Sequence, residues 1–415
     1  MSAYDTIVIG GGPAGATTAN LLAKSGQRVL VLEKETFPRF RIGESLLPHN
    51  QPLFEELGVM DAFKPFEYPV KKAAHFMLAS GEKSIRVVFG DGYFNRQSTA
   101  MQVERSTFDE VMLKRAAELG AEVRHGATVS SFYDEADGVS VTVGDETLTA
   151  RFLVDASGQA NITGNLAKLR EFHPNLKKLS VFAHFEGVKL LEGDVFGDII
   201  LARGASKWFW IIPVGPTKTS VGVVADKAEF AASDLEPVDF FEQAIAASPA
   251  MQERVRDAKR VMEPKTIADY SYFNREFTGQ RLLRVGDAAG FLDPIFSSGV
   301  FIAMSSGKRA AEAILKSKSD RARRSAFASY EKQLWGTLKF YEDFVRMFYT
   351  RSFMEVLLNP RRFLKVADAV NAALAGQLDA RWSVRWRLKL FFWLVRRQEK
   401  RPFLPQITSF DEPTH

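Results

Sequence analysis

The chain contains no cysteine in 415 residues, which excludes disulfides, thiolate metal sites, cysteine nucleophiles and any redox-active dithiol. Electron transfer by such a chain needs a bound cofactor. It also has no run of the roughly 18 to 20 uncharged apolar residues that a membrane-spanning helix requires, and Met1 leads straight into strand-like sequence without a charged, cleavable leader. A cytoplasmic location is therefore expected. Its six histidines show no H-x-x-x-H or H-E-x-x-H spacing, so no metal site is expected, and no G-x-S-x-G elbow marks a serine hydrolase. Internal repeats and low-complexity linkers are absent as well.

What is present is ordinary for a globular protein: 46% apolar and 25% charged residues, with 55 basic against 50 acidic side chains and a net charge of +5. The length suits two or three interlocked domains. Asp5 to Ile9 reads as a strand, Gly10 to Gly15 as a glycine-rich turn, Ala16 to Ser25 as a helix and Arg28 to Glu33 as a second strand, together a βαβ unit. Helix and strand character returns at 106–123, and Arg151 to Ala156 reads as a short buried strand. Segments 76–89 and 179–224 alternate in character and predict an antiparallel sheet. A strand at 280–285 and a helix over 299–316 resume the first style, and from about Ser325 the pattern is helical.

The expected fold class is thus α/β (α+β). A discontinuous Rossmann-type nucleotide-binding domain (1–70, 105–165 and 275–325) carries an inserted antiparallel-sheet domain (71–104 and 166–274), followed by a C-terminal helical region (326–415).

Gly10-Gly11-Gly12-Pro13-Ala14-Gly15 fits G-x-G-x-x-G between a strand and a helix. The first glycine permits the tight turn, the second lets the backbone approach a pyrophosphate, and the third lets helix and strand pack closely. Glu33 ends the next strand, 18 residues beyond Gly15, where a carboxylate can accept from ribose hydroxyls. A second element, Gly286-Asp287-Ala288-Ala289-Gly290, follows a strand and leads through Asp293-Pro294 to a helix starting near Gly299. A carboxylate at such a strand end suits the ribityl chain, and the helix start can face the ring where charge collects on reduction. The two elements bracket a dinucleotide as long as FAD.

At this point the sequence resembles the flavin-dependent monooxygenase superfamily with the aromatic hydroxylase fold, and within it the flavin-dependent halogenases. The resemblance rests on Gly10 to Gly15, Glu33, Arg41 to Pro48, Arg105 with Phe108-Asp109, Asp155 to Gly158, Trp208 to Pro213, and Gly286 to Gly299. Trp208, Trp210, Ile212 and Pro213 fit W-x-W-x-I-P, while Phe291, Pro294, Ser297 and Gly299 fit F-x-x-P-x-x-S-x-G. It implies an FAD site formed by Gly10, Gly12, Pro13, Ala14, Gly15, Glu33, Lys34, Arg41, Gly43, Ser45, Arg105, Asp155, Gly158, Gly286, Asp287, Pro294, Gly299 and Val300. It also implies a halide site, for chloride or bromide, at the backbone of Ser298 and Gly299, and a wall of Trp208, Trp210 and Pro213 between flavin and substrate.

In the chemistry the resemblance implies, FAD reduced by a separate flavin reductase reacts with oxygen, a halide is oxidised to hypohalous acid, and a lysine beside an aromatic substrate directs it. Lys71 stands in Lys71-Lys72-Ala73-Ala74-His75-Phe76, similar to the family's K-x-G-A-x-F with alanine for glycine. Adjacent strand residues point to opposite faces, so only one of Lys71 and Lys72 can reach a cavity. The bland reading is two solvated lysines at the start of an edge strand. Phe296 occupies the place where the tryptophan enzymes carry a glutamate, which fits phenols or pyrroles that activate their own ring, free or carrier-bound, and argues against free tryptophan.

Two rival functions remain open on sequence: a monooxygenase or geranylgeranyl-reductase-like oxidoreductase of the same fold, and a non-catalytic flavin-binding docking protein. Between Arg381 and Arg401 stand eight Lys or Arg against the single acid Glu399, interleaved with Trp382, Trp386 and Trp393. This tail reads as a packed helix with a solvated basic rim, as a docking face for an acidic acyl carrier protein, or as a membrane-surface helix. No nucleic-acid recognition motif accompanies the charge.

Overall fold

A computed structural model describes residues 4–360, 363–377 and 382–410; Arg381 and His415 lie outside the described residues. The apolar run Ile7, Val8, Ile9 is buried on both faces, as a central parallel strand requires. Strand Tyr4–Ile9 pairs in parallel with Val29–Glu33 on one side and Glu146–Asp155 on the other. Glu122–His125 adds in parallel beyond Val29–Glu33. On the far edge the long strand Glu146–Asp155 is shared. Its first half pairs antiparallel with Val139–Val143, and its last three residues pair in parallel with Leu282–Arg284.

Helix Pro13–Lys24 crosses between the first two strands, with proline at its start and glycine before it. It lies against helix Gly299–Lys316 so closely that a Cβ on Gly307 would stand 2.5 Å from the Ala14 carbonyl oxygen. Thr18 Oγ1 donates to the Gly307 carbonyl at 3.1 Å across the same seam.

The second sheet has eight strands, running in order 259–260, 178–186, 218–226, 208–213, 199–203, 73–78 and 84–88, with 265–268 beside 178–186. It is antiparallel except at one seam, where Ala73–Leu78 and Ile199–Arg203 run parallel. The expected antiparallel sheet is present, with this one parallel seam added to it. More than a hundred residues separate these strands and pass through the first layer, which gives the long crossover that parallel pairing needs.

Helix Asp320–Phe348 packs its buried Tyr330, Leu334, Leu338, Tyr341 and Phe344 into the main core. Helices Arg351–Leu357, Val366–Leu374 and Trp382–Lys400 follow it. Among the described residues no helix is long and apolar enough to cross a membrane.

The Gly307 seam gives a direct test. Gly307→Val forces two helices apart and is expected to lower the urea unfolding free energy by about 1 to 3 kcal/mol. An unchanged midpoint and slope would show that the seam tolerates a side chain.

Candidate active site

The glycine turn is built by contacts that no side chain survives. Gly10 has φ +98°, and a Cβ there would lie 2.5 Å from the Ala156 carbonyl oxygen; a Cβ on Gly15 would lie 1.9 Å from the Gly10 carbonyl oxygen. Gly12, by contrast, meets nothing nearer than the Arg39 guanidinium at 3.6 Å, so this part of the turn is open. No side chain caps helix Pro13–Lys24 and no acid sits in its first turn, which leaves its N–H groups for an anion. Glu33 is buried; its Oε2 accepts from Gly11 N at 2.7 Å and its Oε1 from Glu35 N at 2.9 Å.

A cavity of about 790 Å³ starts at this turn and runs between the two sheets. Gly10, Gly12, Pro13, Ala14, Glu33, Lys34, Arg41, Gly43, Ser45, Arg105, Gly158, Asp287, Pro294, Gly299 and Val300 border it, as do Trp208 and Trp210. A glycine cradle, a helix start, a carboxylate at the second strand end and an elongated cavity are what FAD requires.

Gly15, Asp155, Gly286, Ser298, Pro213 and Lys71 do not border the cavity. Gly15 and Gly286 are glycines for packing: a Cβ on Gly286 would press on Ala303 and Ala14 at 3.2 and 3.3 Å. The buried Asp155 carboxylate accepts from Ser157 N at 3.0 Å, Thr163 N at 2.8 Å and Thr163 Oγ1 at 2.7 Å. These bonds shape the loop that follows the strand.

The segment 39–45 straps the cavity. Arg105 is the clasp: Nε and Nη2 donate to Asp109 at 2.8 Å each, and Nη1 donates to the Ile42 carbonyl at 2.9 Å. Gly43, at φ +106°, adopts a backbone conformation that favours glycine, and a Cβ there would crowd that guanidinium at 3.0 Å. Arg39 joins the same carboxylate, with Nη1 donating to Asp109 Oδ2 at 2.7 Å. Desolvation pushes the Asp287 carboxyl up to about 7, against the pull of Arg105.

Trp208 and Trp210 share one face of their strand, with ring centroids 5.8 Å apart. Trp210 sits over Gly222, where a Cβ would come within 2.2 Å of the indole, and its Nε1 donates to Ser220 Oγ at 3.1 Å. Trp208 Nε1 donates to Tyr349 Oη at 3.0 Å, and Tyr349 donates on to Asp293 Oδ2 at 2.6 Å. Asp293 Oδ1 accepts from Ile295 N at 3.0 Å, and burial pushes this carboxyl up to about 6. The tryptophan strand is therefore tied to the turn 293–299 through a residue of the helical region. Ser297, with φ +54°, holds that turn, and Ser298 begins helix Gly299–Lys316 without a side-chain cap. Sequence reasoning gave Tyr349 no role, and no local signal marks it.

Of the two candidate lysines, Lys71 faces inward and Lys72 outward. Lys71 is buried, donating from Nζ to Ser45 Oγ at 2.9 Å and to the Leu46 carbonyl at 3.0 Å, with the Phe89 ring 5.6 Å from Nζ. Lys72 pairs at the surface with Asp194 at 2.6 Å. Asp198 sets this choice, because its Oδ1 accepts from both Lys72 N and Ala73 N at 2.8 Å and so fixes the chain just after Lys71. Burial pushes the Lys71 amine down to about 7, with Asp198 opposing. Lys71 lies behind Ser45, one residue away from the cavity wall.

Glu44, the neighbour of Ser45, was present in the quoted motif without a role. Its Oε1 meets His184 Nε2 at 2.6 Å, both groups buried, and its buried Oε2 has no hydrogen-bond partner. Glu44 and His184 are 140 residues apart, a pairing only the fold reveals. No cluster of three or more metal-ligating side chains occurs among the described residues.

Fold and cradle together define a flavoprotein that holds FAD. The model of the FAD binding domain family matches residues 3–335. The chain is 32% identical over 374 residues to a 1H-pyrrole-2-carbonyl-(peptidyl-carrier protein) chlorinase of Pseudomonas fluorescens, covering 83% of each protein. It is 31% identical to the corresponding brominase of Pseudoalteromonas luteoviolacea, covering 84% of this chain and 86% of the relative. Among solved structures, a flavoprotein/dehydrogenase from Cytophaga hutchinsonii superposes with TM-score 0.86 at 28% identity, over 95% of this chain and 100% of that one. The flavin-dependent brominase Bmp2 superposes with TM-score 0.81 at 28% identity over the same shares. The chain belongs to the FAD binding domain family and, within it, to the flavin-dependent halogenases.

The buried amine has a thermodynamic signature. The native state leaves Lys71 uncharged above about pH 7, while the unfolded chain protonates it up to its ordinary value of 10.5. The unfolded state binds more protons in that window, so wild-type stability gains with rising pH there. Lys71→Met removes this gain. In urea titrations, wild-type stability minus variant stability is expected to grow as pH rises from about 7 to about 10; a difference flat in pH contradicts the buried amine.

Proposed function

We propose that this enzyme halogenates an electron-rich pyrrole or phenol ring presented on a carrier protein, with Lys71 directing the oxidised halogen and a separate flavin reductase supplying reduced FAD. The observation that carries this reading is Lys71 itself. It is a buried amine on the short strand Val70–Lys71, which pairs with Ala100–Met101 just ahead of the second-sheet strand Ala73–Leu78, and it bonds Ser45 on the cavity wall. The carrier-bound form of the substrate is supported by the two relatives named above.

When bound and reduced, FAD supplies with oxygen the oxidising equivalents that turn chloride or bromide into hypohalous acid. The chain's residues do the rest. The free N–H groups at the start of helix Gly299–Lys316 offer the halide an anion site. Trp208 and Trp210 fill the space beside the cavity so that the substrate ring does not reach the flavin and hydroxylation is suppressed. The ammonium form of Lys71, populated up to about pH 7, donates to the oxygen of hypohalous acid and polarises the O–halogen bond. The ring attacks the halogen, a C–halogen bond forms, the O–halogen bond breaks, and the departing hydroxide takes the lysine's proton and leaves as water. The ring then loses its own proton and regains aromaticity. Phe296 offers no carboxylate for that step, so the ring proton passes to water.

The test uses the purified holoenzyme with a flavin reductase, NADH, oxygen and bromide, and small phenol or pyrrole acceptors, with products read by mass spectrometry. Lys71→Ala is expected to lower brominated product by at least about a hundredfold while flavin reoxidation continues. Wild type giving only hydroxylated product, or oxidising NADPH unaided and without halide, would overturn the reading in favour of a monooxygenase or reductase.

A further inference from the structure

Helix Trp382–Lys400 carries two opposed stripes. Val384, Leu388, Phe391, Val395 and Gln398 recur at three- and four-residue spacing and are buried against the body. Phe391 packs on Phe353 at 5.6 Å. Gln398 fastens the last turn, donating to the buried Glu355 at 2.7 Å and accepting from the amides of Phe403 and Leu404 at 2.9 and 3.0 Å. The other face presents Trp382, Arg385, Lys389, Trp393, Arg396 and Lys400 at the same spacing, all exposed. Glu399 is the only acid of the helix. A solvated rim accounts for the cations but not for two tryptophans left 80% and 57% exposed. Large aromatic area set among arginines is the composition of a protein interface.

The face is joined to the lysine by a short chain of contacts. Arg387, on the same helix, lies over the Phe94 ring at 5.1 Å and donates to the Leu364 carbonyl at 2.6 Å. Lys365 stands over the exposed Tyr93 ring at 3.0 Å. Asn371 donates to the Val88 carbonyl at 2.6 Å, and the next residue, Phe89, is the one whose ring faces Lys71 Nζ.

We propose that the stripe Trp382, Arg385, Lys389, Trp393, Arg396 and Lys400 is the docking face for an acidic carrier protein that presents the ring to be halogenated as a thioester. The inference rests on the carrier-bound reading above and adds the surface that recognises the carrier. Charge complementarity selects an acidic partner: the row holds four cations and no acid. A bilayer is disfavoured because the continuous apolar stripe of this helix is turned into the protein, and membrane-surface helices use such a stripe to bury themselves.

The test compares wild type with Arg385→Glu/Lys389→Glu/Arg396→Glu and, separately, with Trp382→Ala/Trp393→Ala. The probes are pyrrole-2-carboxyl thioester on an acidic peptidyl carrier protein and the same acyl group on free pantetheine. Direct binding of the loaded carrier is followed by titration calorimetry beside turnover. Both variants are expected to weaken carrier binding on the order of tenfold or more and to raise KM for the carrier-bound probe, with pantetheine-thioester turnover and FAD content unchanged. Wild-type carrier binding is expected to weaken with added salt, and that dependence to flatten in the charge-reversed variant. Equal carrier binding in wild type and both variants overturns the docking face and leaves the halogenation reading standing. Carrier binding lost in both variants, with neither probe halogenated by wild type, supports the docking face and overturns the assignment of a pyrrole substrate. Capture on anionic vesicles that the charge-reversed variant loses, with carrier binding intact, overturns the proposal in favour of a lipid surface.

Discussion

The close approach of backbone to backbone around the glycine turn is the constraint on which the rest of the structure depends. Gly15 lies against the Gly10 carbonyl, Gly10 against Ala156, and Gly307 against the Ala14 carbonyl, each at distances that exclude a Cβ. These contacts bring the first helix, the strand ending at Asp155 and helix Gly299–Lys316 to one point. The open N-terminus of helix Pro13–Lys24 and the uncapped start of helix Gly299–Lys316 thereby face one cavity from two sides. Each leaves free N–H groups at the cavity edge, the arrangement that binds anions.

Around that point the layers are held in register by buried polar links that cross between elements. Arg105 and Asp109 close the strap, Asp198 orients the lysine strand, and Tyr349 joins Trp208 to Asp293. Each link is a hydrogen bond between groups withdrawn from water, where an unmet partner is costly, so each holds its two elements at one separation. The consequence for function is geometric. Trp208 and Trp210, the start of helix Gly299–Lys316 and Lys71 stand on three different elements, and these links hold those elements against one another.

Much of this was legible because its signals are local. The glycine turn, Glu33 at the end of the second strand and helix Gly299–Lys316 follow from spacing within a few dozen residues, and the structure has them at the expected places. What was not legible depends on long-range pairing. The parallel seam between 73–78 and 199–203 leaves no trace in either strand's pattern. Glu44 with His184 and Tyr349 with Asp293 are separated by 140 and 56 residues. The choice between Lys71 and Lys72 turned on Asp198, more than a hundred residues away. The Asp155 carboxylate, at a strand end, accepts three hydrogen bonds from the loop and short helix that follow it.

The central claim is that oxidised halogen, and not oxygen, reaches the substrate across the tryptophan wall. Turnover under ¹⁸O₂ with bromide and a small pyrrole acceptor, read by high-resolution mass spectrometry, tests it most directly. The account predicts a product that carries bromine and no ¹⁸O, with the label recovered in water. A product bearing one ¹⁸O atom on the ring would mean that the substrate meets the flavin itself, and would contradict the account.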